Sequence, residues 1–401
     1  MNKIYKAAII GGGASGLLCA AELLSGENRL KGGDVVILER NDRVGKKLIA
    51  TGNGQGNLTN AYISAENYSG DSAFIKTFIE QSKLVNLTEY FKNLGIITEK
   101  DESGRIYPVS RQANSVLDIL RAYLIGNNCT IITGFKANKI TERGGVFTVS
   151  AENGEKITAE NVVLAVGGKA AKQFGTDGQA YALATAFNHK LTPLFPSLVQ
   201  LKTEKEPIKG LKGIKLNATV ALFDGNTFIK KASGDLLFTD YGVSGNTVFK
   251  ISDKAATLKN PVLKIDFLPQ FTDKELSEIL AKRTRDGFMS KTDILNGLVH
   301  KKLGETIVKQ SGGDLARTIK TVKSFTVKVT GTLGFDYAQT TKGGIDTADI
   351  HPHSYESKLQ KGLYITGEML DVDGECGGYN LTFAFISGII AARSIKNKFK
   401  N

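Results

Sequence analysis

Ile9-Ile10-Gly11-Gly12-Gly13-Ala14-Ser15-Gly16 sits near the start of a 401-residue chain, and the other segments are read from it. An apolar run from Ala7 enters a glycine-rich turn, and residues 17–24 leave it with helical character. Gly11, Gly13 and Gly16 fit G-x-G-x-x-G. In that pattern the first glycine permits a tight turn, the second lets backbone approach a pyrophosphate, and the third lets helix pack on strand. The helix N-terminus then directs its free N–H groups and partial positive charge at the phosphates, which assigns Ala14 and Ser15 to the same site.

The motif alone is weak, because an unliganded strand–turn–helix unit gives it too. Its surroundings strengthen it. A second apolar strand, Asp34-Val35-Val36-Ile37-Leu38, ends at Glu39, which lies 23 residues after Gly16, where a ribose-binding carboxylate is expected. A basic segment follows, Arg43-Val44-Gly45-Lys46-Lys47, and then a loop rich in glycine and asparagine from Thr51 to Asn60. Small residues and amides at that density suit a backbone wrapped closely round a ligand. Lys3 and Lys6 ahead of an apolar run also imitate a signal peptide. Glycines and Glu22 interrupt that run, and no cleavage-site pattern follows it.

With 41% apolar and 23% charged residues the composition is that of a soluble globular protein, and no apolar stretch is long enough to span a bilayer. A cytoplasmic location is expected. The three cysteines, at 19, 129 and 376, form no CxxC and no disulfide framework. The four histidines, at 189, 300, 351 and 353, form no metal pattern. A net charge of +12 raises nucleic-acid binding, but the basic residues are scattered among acids, with no aromatic-interleaved stripe. The charge therefore reads as a solvated surface. The expected partner is a small molecule, with no nucleic acid, no membrane and no metal.

Residues 72–94, 112–125 and 177–187 have helical spacing, and 161–166 is an apolar strand running into Gly167-Gly168. Ala165 and Gly167 are expected near the cofactor, because such a strand returns to the nucleotide sheet. From about 193 to 260 the chain reads as short strands and turns, a barrel-like β domain; 272–322 reads as a helical insertion, and 325–329 resumes the β pattern. The chain then returns to the cofactor, with a strand ending at Gly367-Glu368 and a second glycine-rich loop, 371–378, opening an apolar helix. Lysines at the end of that helix complement its dipole. The fold class is α/β: a Rossmann-like FAD domain of residues 1–190 and 344–401, a β-barrel-like domain of 191–271 and 323–343, and a helical subdomain of 272–322. The second loop favours FAD over NAD, since a long dinucleotide needs an AMP site and a distant helix N-terminus for its ring.

The chain resembles the bacterial NAD(P)/FAD-dependent oxidoreductase family that includes aminoacetone-oxidase-like and dehydro-bile-acid-reductase-like flavoproteins. The likeness covers nearly the whole length. It rests on Gly11 to Gly16, Glu39, Gly45-Lys46-Lys47-Leu48, Thr51-Gly52-Asn53-Gly54, Asn57-Leu58-Thr59-Asn60, Arg105-Ile106-Tyr107-Pro108 and Ala165-Val166-Gly167-Gly168. It extends to Leu237 through Gly245, Gly367 through Gly374, and Gly377-Gly378-Tyr379-Asn380-Leu381. Family members often carry Gly-Arg-Cys-Asn where this chain has Gly54-Gln55-Gly56-Asn57. The resemblance implies noncovalent FAD, with NAD(P)H as a possible diffusible donor. The expected cofactor contacts are Gly11, Gly13, Ala14, Ser15, Gly16, Glu39, Arg40, Lys46, Lys47, Thr51, Gly52, Asn57, Ala137, Ala165, Gly167, Gly367, Glu368, Asp373, Gly378, Tyr379, Asn380 and Leu381.

A flavin carries the hydride chemistry, so the protein needs only to position it, tune it and supply a proton. Candidates for that proton are Tyr379, Cys376, Tyr241 and Asp373; each also has a plain reading as a packed or turn-capping residue. The expected function is oxidation or reduction of a small organic molecule through FAD. The alternatives are an oxygen-using amine oxidase and a non-catalytic flavin redox sensor.

Overall fold

The computed structural model describes residues 3–287 and 289–400. The chain divides into two compact units, Met1–Leu194 with Thr340–Asn401, and Phe195–Gln339. The centre of the first is a five-stranded parallel sheet in the order Leu363–Ile365, Val162–Leu164, Ala7–Ile10, Val35–Glu39, Thr130–Thr133. Its three inner strands and Leu363–Ile365 are buried along their whole lengths and, Glu39 apart, carry no charge, as a parallel sheet covered on both faces requires. Ile10 pairs with Leu38 on one side and Leu164 on the other. The strand order therefore reverses beside Ala7–Ile10, and the glycine turns at 11–13, 165–168 and 367 all follow carboxyl ends of these strands. That is the switch point at which open α/β sheets bind ligands.

Helix Ala14–Leu23 leaves the first turn and lies against the C-terminal helix Tyr379–Asn397. Small residues let the backbones touch: a Cβ on Gly388 would stand 2.3 Å from the Ser15 carbonyl oxygen. Where the two helices end, buried Glu22 accepts from Lys396 at 2.8 Å and from Arg393 at 3.2 Å. Lys396 and Lys398, read from sequence as dipole partners, do lie at the helix end and are ion-paired as well, Lys398 to Glu356 at 2.7 Å. Smaller sheets lie beside the parallel one. One has four strands in the order Ile4–Tyr5, Lys156–Ala159, Val146–Ala151, Ala137–Arg143; one pairs Thr59–Asn60, Arg105–Pro108 and Thr98–Lys100; another pairs Val372–Gly374 with Tyr68–Gly70.

The second unit holds a closed six-stranded barrel: Leu201–Thr203, Gly242–Ser244, Thr227–Phe238, Lys215–Asp224, Pro261–Asp266, Phe325–Thr332 and back to the first. Alternate residues fill it, among them Val220, Leu222, Leu236, Phe238, Leu263, Ile265, Phe325 and Val327. Helices Asp273–Arg285, Lys301–Gln310 and Leu315–Lys323 occupy the stretch with helical periodicity. The first opens on a capping box between Thr272 and Glu275.

Three sequence expectations are corrected. Residues 72–94 form two helices, Ser72–Leu84 and Leu87–Asn93, because Val85 is extended and the Asn86 side chain accepts from the Glu89 N–H to start a new helix. The helix expected over 177–187 shrinks to Tyr181–Thr185, since Asp177 instead caps a turn through the Gln179 N–H, and Gly178 has a φ of +80°. The stretch read as strands and turns contains helix Asn246–Ala255, whose Val248, Ile251, Ser252 and Ala255 make one buried stripe. No helix among the described residues is long and apolar enough to cross a membrane.

Candidate functional site

The first glycine turn is built by contact. A Cβ on Gly11 would stand 2.4 Å from the Ala165 carbonyl oxygen, and one on Gly16 2.0 Å from that of Gly11. Gly13 differs: it is the N-cap of Ala14–Leu23, no side chain caps that helix, and nothing lies within 4 Å of where its Cβ would be. The turn is therefore closed towards the protein and open at the helix start, the cradle a pyrophosphate needs. Glu39 is buried beneath it. One oxygen accepts from the Gly12 N–H at 2.8 Å; the other accepts from the Asn41 N–H and Nδ2, each at 2.8 Å. A carboxylate offers about four lone-pair positions, so one remains for a ribose hydroxyl.

Around this turn the structure gathers residues from all along the chain. Ser15 Oγ donates to Thr366 Oγ1 at 2.9 Å, so its hydroxyl ties the two chain ends while its N–H stays at the helix start. Gly367 donates its N–H to Ser387 Oγ at 2.9 Å, and a Cβ there would meet that of Ser15 at 3.1 Å. Glu368 pairs with Lys47 at 2.7 Å and accepts from the Thr341 N–H at 2.9 Å. Gly167, with a φ of +78°, keeps its turn clear beside Thr176 and Glu368. Arg40 pairs with Asp177 at 3.0 Å and donates to the Gly175 carbonyl at 2.8 Å. Lys46 pairs with Asp42 at 2.6 Å. Ala137 opens a strand two residues beyond Phe135, whose N–H donates to the Glu39 carbonyl.

The second group forms where the C-terminal helix begins. Gly378 is its N-cap, with a φ of +98° and no capping side chain. A Cβ there would stand 2.6 Å from the Thr59 carbonyl oxygen. The Asn57 amide, oriented as its neighbours require, donates to the Thr59 carbonyl at 3.0 Å and accepts from the Gly378 N–H at 3.1 Å. Thr59 and Thr382 share a hydroxyl hydrogen bond of 2.7 Å, and Asn60 Nδ2 donates to the Gly377 carbonyl at 2.9 Å. The glycine–asparagine loop and the far C-terminal helix are thus one structure, although more than 300 residues apart. Thr51 Oγ1 donates to the Leu48 carbonyl at 2.7 Å, and Gly52, at a φ of +58°, starts the exposed part of the loop.

The candidate proton donors are placed differently from one another. Tyr379 is in the first turn of that helix beside Leu381, edge-on to Tyr68 at 6.0 Å. Burial and the Glu375 carboxylate raise its phenol's pKa, while the Arg105 charge opposes them; it holds its proton at neutral pH. Asn380 clamps Gly374, accepting from its N–H at 2.8 Å and donating to its carbonyl at 2.6 Å. Asp373 is buried and accepts from Thr340 Oγ1 at 3.3 Å. Cys376 is half-buried in the loop between them. Tyr241 belongs to the second unit, where its carbonyl accepts from the Thr203 N–H. The other thiols are quenched: burial pushes Cys129 up to about 12 and Cys19 higher still. Among the described residues no three His, Cys, Asp or Glu side chains are grouped to hold a metal ion.

Asn41, Asn60, Thr341 and Thr366 are positioning residues that sequence reasoning missed. Only Asn60 carried a signal, as the last asparagine of its loop. As a whole the arrangement could hold a long dinucleotide between two glycine-opened helix starts, one from each end of the chain.

Comparison with known proteins gives the family and the fold. A family model described as the HI0933-like protein Rossmann domain matches residues 5–394. The chain is 36% identical over 412 residues to the 3-dehydro-bile acid delta(4,6)-reductase of Clostridium scindens, covering 98% of this chain and 99% of that one. It is 29% identical over 418 residues to the ribosomal RNA dihydrouridine synthase of Haemophilus influenzae, covering 99% of this chain and 100% of that one. Among solved structures, the 3-ketosteroid-delta4-(5alpha)-dehydrogenase of Rhodococcus jostii RHA1, in complex with 4-androstene-3,17-dione, matches with a TM-score of 0.51 at 15% identity. That match covers 99% of this chain and 98% of the other, and it speaks to the fold.

Proposed function

The chain belongs to the HI0933-like protein family, and on that premise we propose that it is an FAD-dependent oxidoreductase that reduces a carbon–carbon double bond conjugated with a carbonyl group. The observation that carries the cofactor is the pair of uncapped, glycine-opened helix starts, at Gly13 and Gly378, brought into one unit from opposite ends of the chain. The bond type is supported by what two relatives are named for. A delta(4,6)-reductase of a 3-dehydro bile acid and a dihydrouridine synthase both saturate a double bond conjugated with a carbonyl.

FAD, when bound, supplies a two-electron carrier able to pass hydride to carbon. The protein's part is position and charge. Gly13, Ala14 and Ser15 would direct N–H groups at the pyrophosphate, and Glu39 would accept from the ribose. The first turn after Gly378 would present N–H groups to the pyrimidine edge, where the helix start favours negative charge. Tyr379, kept protonated by burial, would give the proton that follows hydride. NADH or NADPH would restore the electrons.

A small organic enone is the substrate class we favour, given the 36% relative. Uracil in RNA is the second reading. It is favoured by the 29% relative and by residues 195–339, which carry 23 Lys and Arg against 15 Asp and Glu.

The test is anaerobic. Photoreduced holoenzyme is mixed with 2-cyclohexenone, with a 4-ene-3-keto steroid and with a uridine-containing RNA, and products are weighed by mass spectrometry. Reoxidation by a conjugated ketone, with a product two hydrogens heavier, is the expected result. Rapid reoxidation by oxygen with no turnover of any unsaturated carbonyl would overturn the reading in favour of an oxidase.

A further inference from the structure

Arg105 is half-buried, and the other half-buried arginines of its unit each hold an acid, while Arg29, Arg43, Arg121 and Arg143 are exposed. Arg40 holds Asp177, Arg111 holds Glu99 and lies over the Tyr107 ring, and Arg393 holds Glu22. The Arg105 guanidinium makes no hydrogen bond and no ion pair among the described residues, although the residue is half-buried. Asp101, the acid nearest along the chain, feels the Arg105 charge but makes no ion pair with it. Its Oδ1 accepts from the N–H groups of Ser103 and Arg105, each at 2.9 Å, and from the Ser103 hydroxyl at 2.8 Å. Five N–H donors withdrawn in part from water without a partner are costly, which marks the group as one that awaits a ligand.

Its place in the fold says which ligand. Arg105 is paired in register with Asn60, and Asn60 Nδ2 donates to the Gly377 carbonyl at 2.9 Å. Gly377 in turn sits under the Tyr379 ring, a Cβ there falling 3.0 Å from Tyr379 Cε2 and 3.6 Å from Asn60 Nδ2. The Arg105 charge is felt at the Tyr379 phenol, where it works against burial and Glu375. The loop that closes the same region, Gly52 to Leu58, has no lysine or arginine. Arg105 is thus a cation near the start of the C-terminal helix, one strand pairing away from the glycines and within electrostatic reach of the proton-bearing phenol.

We propose that Arg105 binds the oxygen conjugated with the substrate's double bond. This rests on the reading above, in which a flavin ring lies at the start of that helix. Hydride addition to the carbon β to a carbonyl moves negative charge onto the carbonyl oxygen. A guanidinium fixed there favours the charged form more than the neutral one, and its planar fork matches a carbonyl or carboxylate oxygen better than an ammonium does. Because the guanidinium makes no hydrogen bond or ion pair among the described residues, its removal should leave the fold intact.

The test uses FAD-loaded protein and benzoate, a planar conjugated carboxylate, followed by the visible absorption of the bound flavin. Wild type should bind benzoate with a spectral shift. Arg105→Gln should raise the dissociation constant about tenfold or more, and Arg105→Lys by less, with FAD content and melting temperature unchanged. Arg105→Gln protein that keeps its FAD and binds benzoate as tightly as wild type would overturn the proposal, as would a wild-type holoenzyme blind to benzoate. Protein that takes up no FAD would overturn the flavin reading first, so the two failures are distinguishable.

Discussion

Glu39 has more to do than the ribose contact its position in the sequence implies. Its carboxylate accepts from Gly12 and Asn41 as well, so it also shapes the turn that meets the phosphates. Glu39→Ala should therefore weaken FAD binding by about 1–3 kcal/mol and also destabilise the FAD-free protein, because the buried Gly12 N–H is left unsatisfied. Calorimetric titration of FAD and denaturant unfolding of the apoprotein read the two effects separately; unchanged unfolding would mean that water takes over the Gly12 N–H. His189 gives a second prediction. Ser357 Oγ already accepts from the Leu359 and Gln360 N–H groups, so it donates to His189 Nε2 at 2.8 Å and leaves the proton on Nδ1, buried without a partner. Burial lowers this pKa below the usual histidine value, with Asp349 opposing it. The unfolded chain then binds the proton more readily, so this contribution is present above the unfolded pKa, near 6.5, and is lost as pH falls through it. Wild type should lose more stability than His189→Gln between about pH 7.5 and 5.5; equal losses would acquit the histidine. Glu39 was legible from spacing alone. Asn41, Thr341 and the state of His189 were not, because their roles depend on which distant backbone groups reach them.

The C-terminal helix is the element on which the flavin reading leans hardest. Its N-cap, Gly378, has no room for a side chain: its φ is +98°, and the Thr59 carbonyl is 2.6 Å from where a Cβ would be. Gly378→Val should push the helix start away from residues 57–59. FAD affinity should fall about tenfold or more, and the remaining bound flavin should be harder to reduce, since the N–H groups would no longer face the reduced ring. Wild-type affinity and potential in that variant would make the loop a tight turn and nothing else. Elements were legible where periodicity and glycine placement agreed, as in the first βαβ unit and the strands around 162–166 and 363–365. They were misread where a polar side chain overrode the pattern. Asn86 split one apolar stripe into two helices, and Asp177 turned a helix start into a turn. Helix Asn246–Ala255 was hidden because its buried face includes Thr247 and Ser252, which do not read as apolar.

At the scale of the molecule, the two ends of the chain make one unit, and buried ions fasten them. Lys396→Met leaves Glu22 buried with only the Arg393 guanidinium, and it should cost about 3–5 kcal/mol of stability, towards the lower end because that partner remains. Adding Glu22→Leu should restore most of the loss; denaturant unfolding of the single and double variants checks both. The return of the C-terminus to the first sheet was legible from its second glycine loop, and the middle domain from its short strands. The Glu22–Lys396 pair was not, since the lysine reads equally well as a helix-end charge. The central claim is that both chain ends exist to hold one long flavin dinucleotide. It is tested most directly by chromatography of whatever the purified, reconstituted protein releases on denaturation. FAD is the predicted result, and FMN alone, or no flavin at all, would contradict the account.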